Sequence, residues 1–140
     1  MSDGLLIANA LATWFMVGVI WLVQLLVYPS FRNIAPERFQ SEMLKHQTVT
    51  GRVVILPMLV ELGTSLALLV FDPESVLLWL GNVCVGVWGF STVLVQVPQH
   101  TRLAAEGLDA RALANLVTYN WPRTIAWTLH GGICAGLLSK

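Results

Sequence analysis

Residues 76–97 read VLLWLGNVCVGVWGFSTVLVQV, an uncharged run dominated by apolar side chains. A helix rises about 1.5 Å per residue, so roughly 20 such residues cross the hydrocarbon layer of a bilayer. Working outward from this segment, residues 5–28 form a second uncharged run, and residues 53–71 form a third, interrupted only by Glu61. Residues 120–138 are less apolar and contain Arg123 and His130, but their polar side chains fall on one helical face, which marks a fourth span. The sequence therefore predicts an all-α fold: one four-transmembrane-helix bundle over residues 1–140, with short interfacial helices in its longer loops.

Composition agrees with this reading and excludes others. Hydrophobic residues make up 56% of the 140 and charged residues only 11%, under half the share usual in soluble domains. Eight acidic and eight basic side chains cancel, so the chain has no concentrated positive footprint for nucleic acid, and none is expected as a partner. Glycine-rich phosphate loops, CxxC pairs, HExxH and GxSxG are all missing. Two cysteines alone make neither a disulfide framework nor a zinc site.

Punctuation sets the expected limits. Pro29 is expected to stop the first helix, and the turn at residues 72–75 places Pro73 in the first turn of the third. Residues 37–47 read as an amphipathic lead-in to the second span, and residues 101–118 as a short interfacial helix. Arg32, Arg38, Lys45, Arg52, Arg102, Arg111 and Arg123 lie in or beside the two longer loops, with only Lys140 on the opposite side. By the positive-inside rule those loops face the cytoplasm and both termini face out, as expected in a bacterial inner membrane. The first apolar run lacks a basic leader and is too long for a cleaved signal, so it reads as a retained span.

Helical spacing sorts the candidate site residues. Trp14, Val17, Trp21, Gln24 and Tyr28 share one face of the first span, and His46, Thr50, Val53, Pro57 and Glu61 share one face of the second. Cys84, Trp88, Thr92, Gln96 and His100 follow at four-residue steps in the third; Asn120, Arg123, Trp127, His130 and Cys134 line the fourth. Lipid offers polar groups no hydrogen bonds, so these stripes are expected to face one another. Tyr28, Gln24, His46, Gln96, His100, Asn120 and Arg123 then fall in the cytoplasmic third. Glu61 and His130 lie about 12–15 Å deeper, near mid-membrane. The expectation is a cytoplasmic-side pocket walled by Trp21, Trp88, Trp121 and Trp127.

Each candidate has a structural reading beside the functional one. Glu61 at mid-membrane costs about 3 kcal/mol on insertion scales, and His130 is its partner by depth, either as helix glue or as chemistry. His46 and His100 read as interfacial histidines singly and as a working pair with Tyr28 and Asn120. No metal site is indicated by spacing and no cofactor is expected, although His46, His100 and His130 are of the type that ligates haem iron or a metal. Arg123 either snorkels to headgroups or clamps an anionic or phenolic oxygen. Gly132 and Gly136 read as a small-xxx-small helix contact.

Residues 95–104, VQVPQHTRLA, and residues 119–124, YNWPRT, resemble the anthrone oxygenase-like family of small four-helix integral membrane proteins. Members of that family carry Val-Pro-Leu-Asn-x-x-Leu-Ala at the end of the third span and Trp-Asn-His-x-Arg-Thr at the start of the fourth. Pro98, Leu103, Asn120, Arg123 and Thr124 match; Gln99-His100 stands in place of Leu-Asn, and Trp121 in place of His. Tyr28-Pro29-Ser30-Phe31 resembles the family's first loop. The resemblance implies cofactor-independent oxygenation of an electron-rich polyphenol.

Two functional readings follow from these residues. In the first, the protein is a membrane-embedded oxygenase or oxidoreductase for an aromatic, polyphenol- or quinone-like molecule. His100 or His46 is then the base, Arg123 with Asn120 stabilises the oxyanion, and Trp21 and Trp121 stack on the rings. Tyr28, Gln24, Gln96 and Trp127 complete the substrate site. In the alternative, the same pocket belongs to a non-catalytic quinone-, haem- or lipid-binding accessory subunit of a membrane complex. Either reading is compatible with a homo-oligomer.

Overall fold

The computed structural model describes residues 3–139 and is all-helical, with no strand among the described residues. Lys140, the one basic residue assigned to the far side, lies outside them. The helices are numbered here α1 (Asp3–Asn33), α2 (Pro36–Phe71), α3 (Val76–Glu106), α4 (Ala110–Tyr119) and α5 (Trp121–Leu138). Three of them, α1, α2 and α3, are long and apolar enough to cross a membrane. α5 packs against both α1 and α3, and α2 closes against α1.

Two helices run past their expected ends. Pro29 does not stop α1, because residues Val23–Val27 form a π turn in which the Tyr28 amide reaches back five residues to the Val23 carbonyl. A proline ring crowds the carbonyl four residues before it and offers no donor; the wider turn just upstream absorbs both demands, and the helix continues to Asn33. α3 repeats the device. Its π turn is Thr92–Gln96, the Val97 amide bonds Thr92, Pro98 follows, and the helix runs on to Glu106 instead of ending at residue 97.

The π turn also explains how a four-residue repeat stays on one face. Four α-helical residues turn about 400°, so such a repeat drifts by roughly 40° per step. One wide turn takes the drift back. Cys84, Trp88 and Gln96 are accordingly buried, and Thr92 and His100 half-buried. The other inward stripes hold less completely: Trp14 on α1 and Val53 on α2 are exposed, at the edge of their predicted faces.

The expected single interfacial helix at 101–118 is two pieces. Gly107, at φ 90°, turns the chain after α3, a conformation suited to glycine. Asp109 then caps α4, its Oδ1 accepting from the Arg111 and Ala112 amides at 2.8 and 3.0 Å. These amides, Ala112 foremost, hold the Asp109 carboxyl below its ordinary range. Pro73 lies in the turn before α3 rather than in its first turn, since the helix starts at Val76.

Three apolar clusters stack along the bundle. Phe39, Met43, Leu103, Leu113 and Leu116 close the end that bears the longer loops; Met16, Ile20, Trp88 and Trp127 fill the middle; Leu6, Leu68, Leu78 and Leu137 seal the other end. Gly131 is the close-approach glycine of α5, where an added Cβ would lie 3.3 Å from Trp14 and Val17. Gly132 and Gly136 face open space, contrary to the expected contact, because α5 turns the neighbouring position toward α1.

Candidate functional site

At the loop end, α1, α2, α3 and α5 enclose a cavity of about 230 Å³ lined by Tyr28, His46, Thr92, Gln96, His100 and Arg123, among others. Both π turns border this region: one precedes Tyr28 directly, and the other carries Gln96. The His46 and His100 rings stack at 5.7 Å and 16°, with the Tyr28 ring 5.3 Å from His100 and the Phe31 ring 5.0 Å from His46.

One imidazole has a defined tautomer. His100 Nδ1 lies 2.8 Å from the Gln96 backbone carbonyl, which only accepts, so Nδ1 donates and Nε2 keeps its lone pair. His46 Nδ1 meets the Thr50 hydroxyl at 3.2 Å.

Arg123 is 8% exposed and has no carboxylate within ion-pair distance among the described residues. Its Nη1 donates to Asn120 Oδ1 at 3.0 Å, its Cζ lies 5.2 Å from the Trp127 ring centre, and its Nε has no partner. The Tyr28 phenol lies beside the guanidinium. Gln96, 2% exposed, has neither amide atom bonded. Buried polar groups are as a rule hydrogen-bonded, and a buried cation without an anion is costly. The cavity thus combines an uncompensated positive charge, an open amide and an acceptor nitrogen between aromatic faces.

Two of the expected site residues work behind this cavity. Gln24 Nε2 donates to the Val117 carbonyl at 3.1 Å, and its Oε1 accepts from Asn120 Nδ2 at 2.8 Å. Asn120, whose Oδ1 takes Arg123, thus has both amide atoms bonded and lies outside the cavity lining, where it positions the guanidinium. The expected tryptophan walls also fall elsewhere. Trp21 and Trp121 meet edge to face at 5.8 Å while 36% and 39% exposed, and Trp21 Nε1 donates to Thr128. Trp127 is buried with its ring stacked on Trp88 at 4.9 Å, beneath Arg123 rather than on the cavity surface. Spacing gives a ring's direction but not its depth, and the rings that line the cavity are Tyr28 and the two imidazoles.

Glu61 and His130 pair directly, Nδ1 to Oε1 at 2.7 Å, and Trp127 Nε1 donates to the other carboxylate oxygen at 2.7 Å. The surrounding network went unread in the sequence. Asn9 Nδ2 donates to Ser65 and Thr64 at 2.8 and 2.9 Å, Cys134 Sγ donates to Asn9 Oδ1 at 3.3 Å, and Asn82 Nδ2 donates to the Ser65 carbonyl. Asn9 and Asn82 are each the one asparagine of an uncharged run, which is the signal that marks them. The network ties α1, α2, α3 and α5 together; it does not line the cavity and reaches it only through Trp127 beneath Arg123.

Among the described residues no group of three or more His, Cys, Asp or Glu side chains stands close enough to hold a metal ion. Comparison with protein-family models, curated proteins and solved structures finds no match to this chain.

Proposed function

We propose that the chain is a four-span integral membrane protein whose cytoplasmic-side pocket binds an aromatic, polyphenol- or quinone-like molecule and oxygenates it. In this reading α5 is the fourth span, the basic loops face the cytoplasm, and both termini face out. The carrying observation is the buried Arg123 with no carboxylate within ion-pair distance among the described residues, beside a Gln96 amide with both atoms unbonded. A phenolate oxygen supplies the missing negative charge, or a neutral quinone carbonyl an acceptor for the guanidinium, and the ring packs against Tyr28 and the imidazoles. The resemblance at residues 95–104 and 119–124 points to the same chemistry.

His100 Nε2 is the base. It takes a proton from the ring methylene of a hydroxyanthrone, while Arg123 stabilises the resulting oxyanion. The carbanion passes electrons to dioxygen and bonds to it, and the His100 imidazolium returns its proton to the peroxide, giving a carbon-bound hydroperoxide. Loss of water leaves a carbonyl, so one oxygen atom enters the product and the other leaves as water.

One observation favours the non-catalytic alternative of a quinone-, haem- or lipid-binding subunit. The histidine oriented by a carboxylate is His130, outside the cavity, whereas His46 and His100 have no acidic partner among the described residues. Oxygen uptake by purified protein supplied with a hydroxyanthrone separates the two. Turnover that falls about a hundredfold in His100→Ala supports the oxygenase. Binding without uptake supports the subunit, and an absence of binding overturns the oxygenase and any subunit that holds a ring of this kind.

A further inference from the structure

Thr92 borders two cavities. One is the polar pocket; the other is an apolar groove of about 510 Å³ between α2 and α3, lined by Met58, Leu62, Val85, Trp88 and Val93, among others. Gly86 and Gly89 widen the groove, since a Cβ on either meets nothing within 4 Å. Phe90, Val93 and Leu94 on the same side are exposed, so the groove opens onto the apolar flank of a membrane-crossing helix.

We infer that the two cavities hold one amphipathic ligand: an oxygen-bearing ring, a quinone or phenol, among Gln96, His100 and Arg123, and its alkyl or isoprenoid chain past Thr92 in the groove. The inference rests on the pocket reading above and names the ligand class. At about 230 Å³ the polar pocket is smaller than the 300–1,000 Å³ usual for a whole ligand, and suits a ring head alone. One π turn joins the compartments, with Thr92 at its start and Gln96 at its end. The Thr92 hydroxyl donates to the Trp88 carbonyl at 2.7 Å, so Thr92 itself presents no unpaired donor to a passing chain. All ring-binding polar groups lie on one side of Thr92, and the groove beyond it is lined by apolar residues and glycine. A free fatty acid shares the chain and the anionic end but has no ring to fill the space between Tyr28 and the imidazoles.

A chain moving from lipid into an apolar groove gains little affinity, so the test reads position. The full chain in phosphatidylcholine vesicles is photolabelled with a decyl-benzoquinone carrying a diazirine at the chain end, and labelled residues are mapped by mass spectrometry. The expected result is labelling within residues 58–62 and 85–94 that excess unlabelled decyl-benzoquinone abolishes and oleate does not. Gly89→Trp, with Gly86→Leu as a second variant and folding checked by circular dichroism, should lower that labelling about tenfold through steric filling. Labelling that is not competed, spreads over the outer faces or survives both variants overturns the groove assignment. Competition by oleate alone overturns the ring assignment. Methyl-benzoquinone, which has no chain, separates the two levels: if it fails to bind the wild type, the pocket reading itself falls.

Discussion

Gly81→Ala tests the packing around the central Glu61–His130 pair. A Cβ at Gly81 would lie 3.1 Å from both Cδ2 and Nε2 of His130, inside ordinary contact distance. The imidazole has little freedom to retreat, because Nδ1 is held 2.7 Å from Glu61 Oε1, and that carboxylate is held by Trp127. Overpacking of this kind costs about 1–3 kcal/mol. Alanine also recovers up to about 1 kcal/mol of helix propensity, so Gly86→Ala on the same helix, where the Cβ meets open space, is the matched control. The propensity term cancels between the two, and Gly81→Ala should be less stable than Gly86→Ala by about 1–3 kcal/mol in detergent unfolding. In a His130→Ala background the difference should vanish, a coupling of the same size. Equal stability of the two alanine variants would refute the claim that His130 is pinned against α3.

Trp127→Phe removes the indole donor from the buried carboxylate and should destabilise the bundle by about 1.5–3 kcal/mol in the same assay. Asn120→Ala frees Arg123 Nη1 without touching the cavity wall; methyl-benzoquinone affinity should fall about tenfold while circular dichroism stays unchanged. The cap of α4 should be pH-dependent. The Asp109 carboxyl is held below its ordinary range, so its stabilisation is complete above the ordinary value and is lost as pH falls through the lower folded one. A lower protection factor of the Arg111 and Ala112 amides at acid pH, relative to their intrinsic exchange rates, reports this, and Asp109→Asn should remove the dependence.

Long uncharged runs made three membrane-length helices legible, and four-residue spacing brought Tyr28, His46, Gln96, His100 and Arg123 to one end. Apolar run length and proline punctuation misplaced the helix ends at residues 28 and 97. A proline rule written for a uniform α-helix does not anticipate a π turn two residues upstream, although a strict four-residue repeat through Cys84–His100 already demands one. Spacing also cannot say which inward polar groups are spent on each other. Gln24 and Asn120 lie at the right depth, but their amides complete one chain of hydrogen bonds and leave only Arg123 facing the cavity. The tryptophans failed for a related reason: helical period fixes direction to about a residue, and Trp21 and Trp121 fall just outside that arc, on the surface.

The central claim is that Arg123 and Gln96 await a ring oxygen. Its most direct test is titration of the detergent-solubilised wild type and Arg123→Gln with methyl-benzoquinone, followed by quenching of the Trp127 and Trp88 pair beneath the guanidinium. The account predicts saturable quenching in the wild type and an affinity at least about tenfold weaker in Arg123→Gln. Equal saturable binding by both proteins would contradict it.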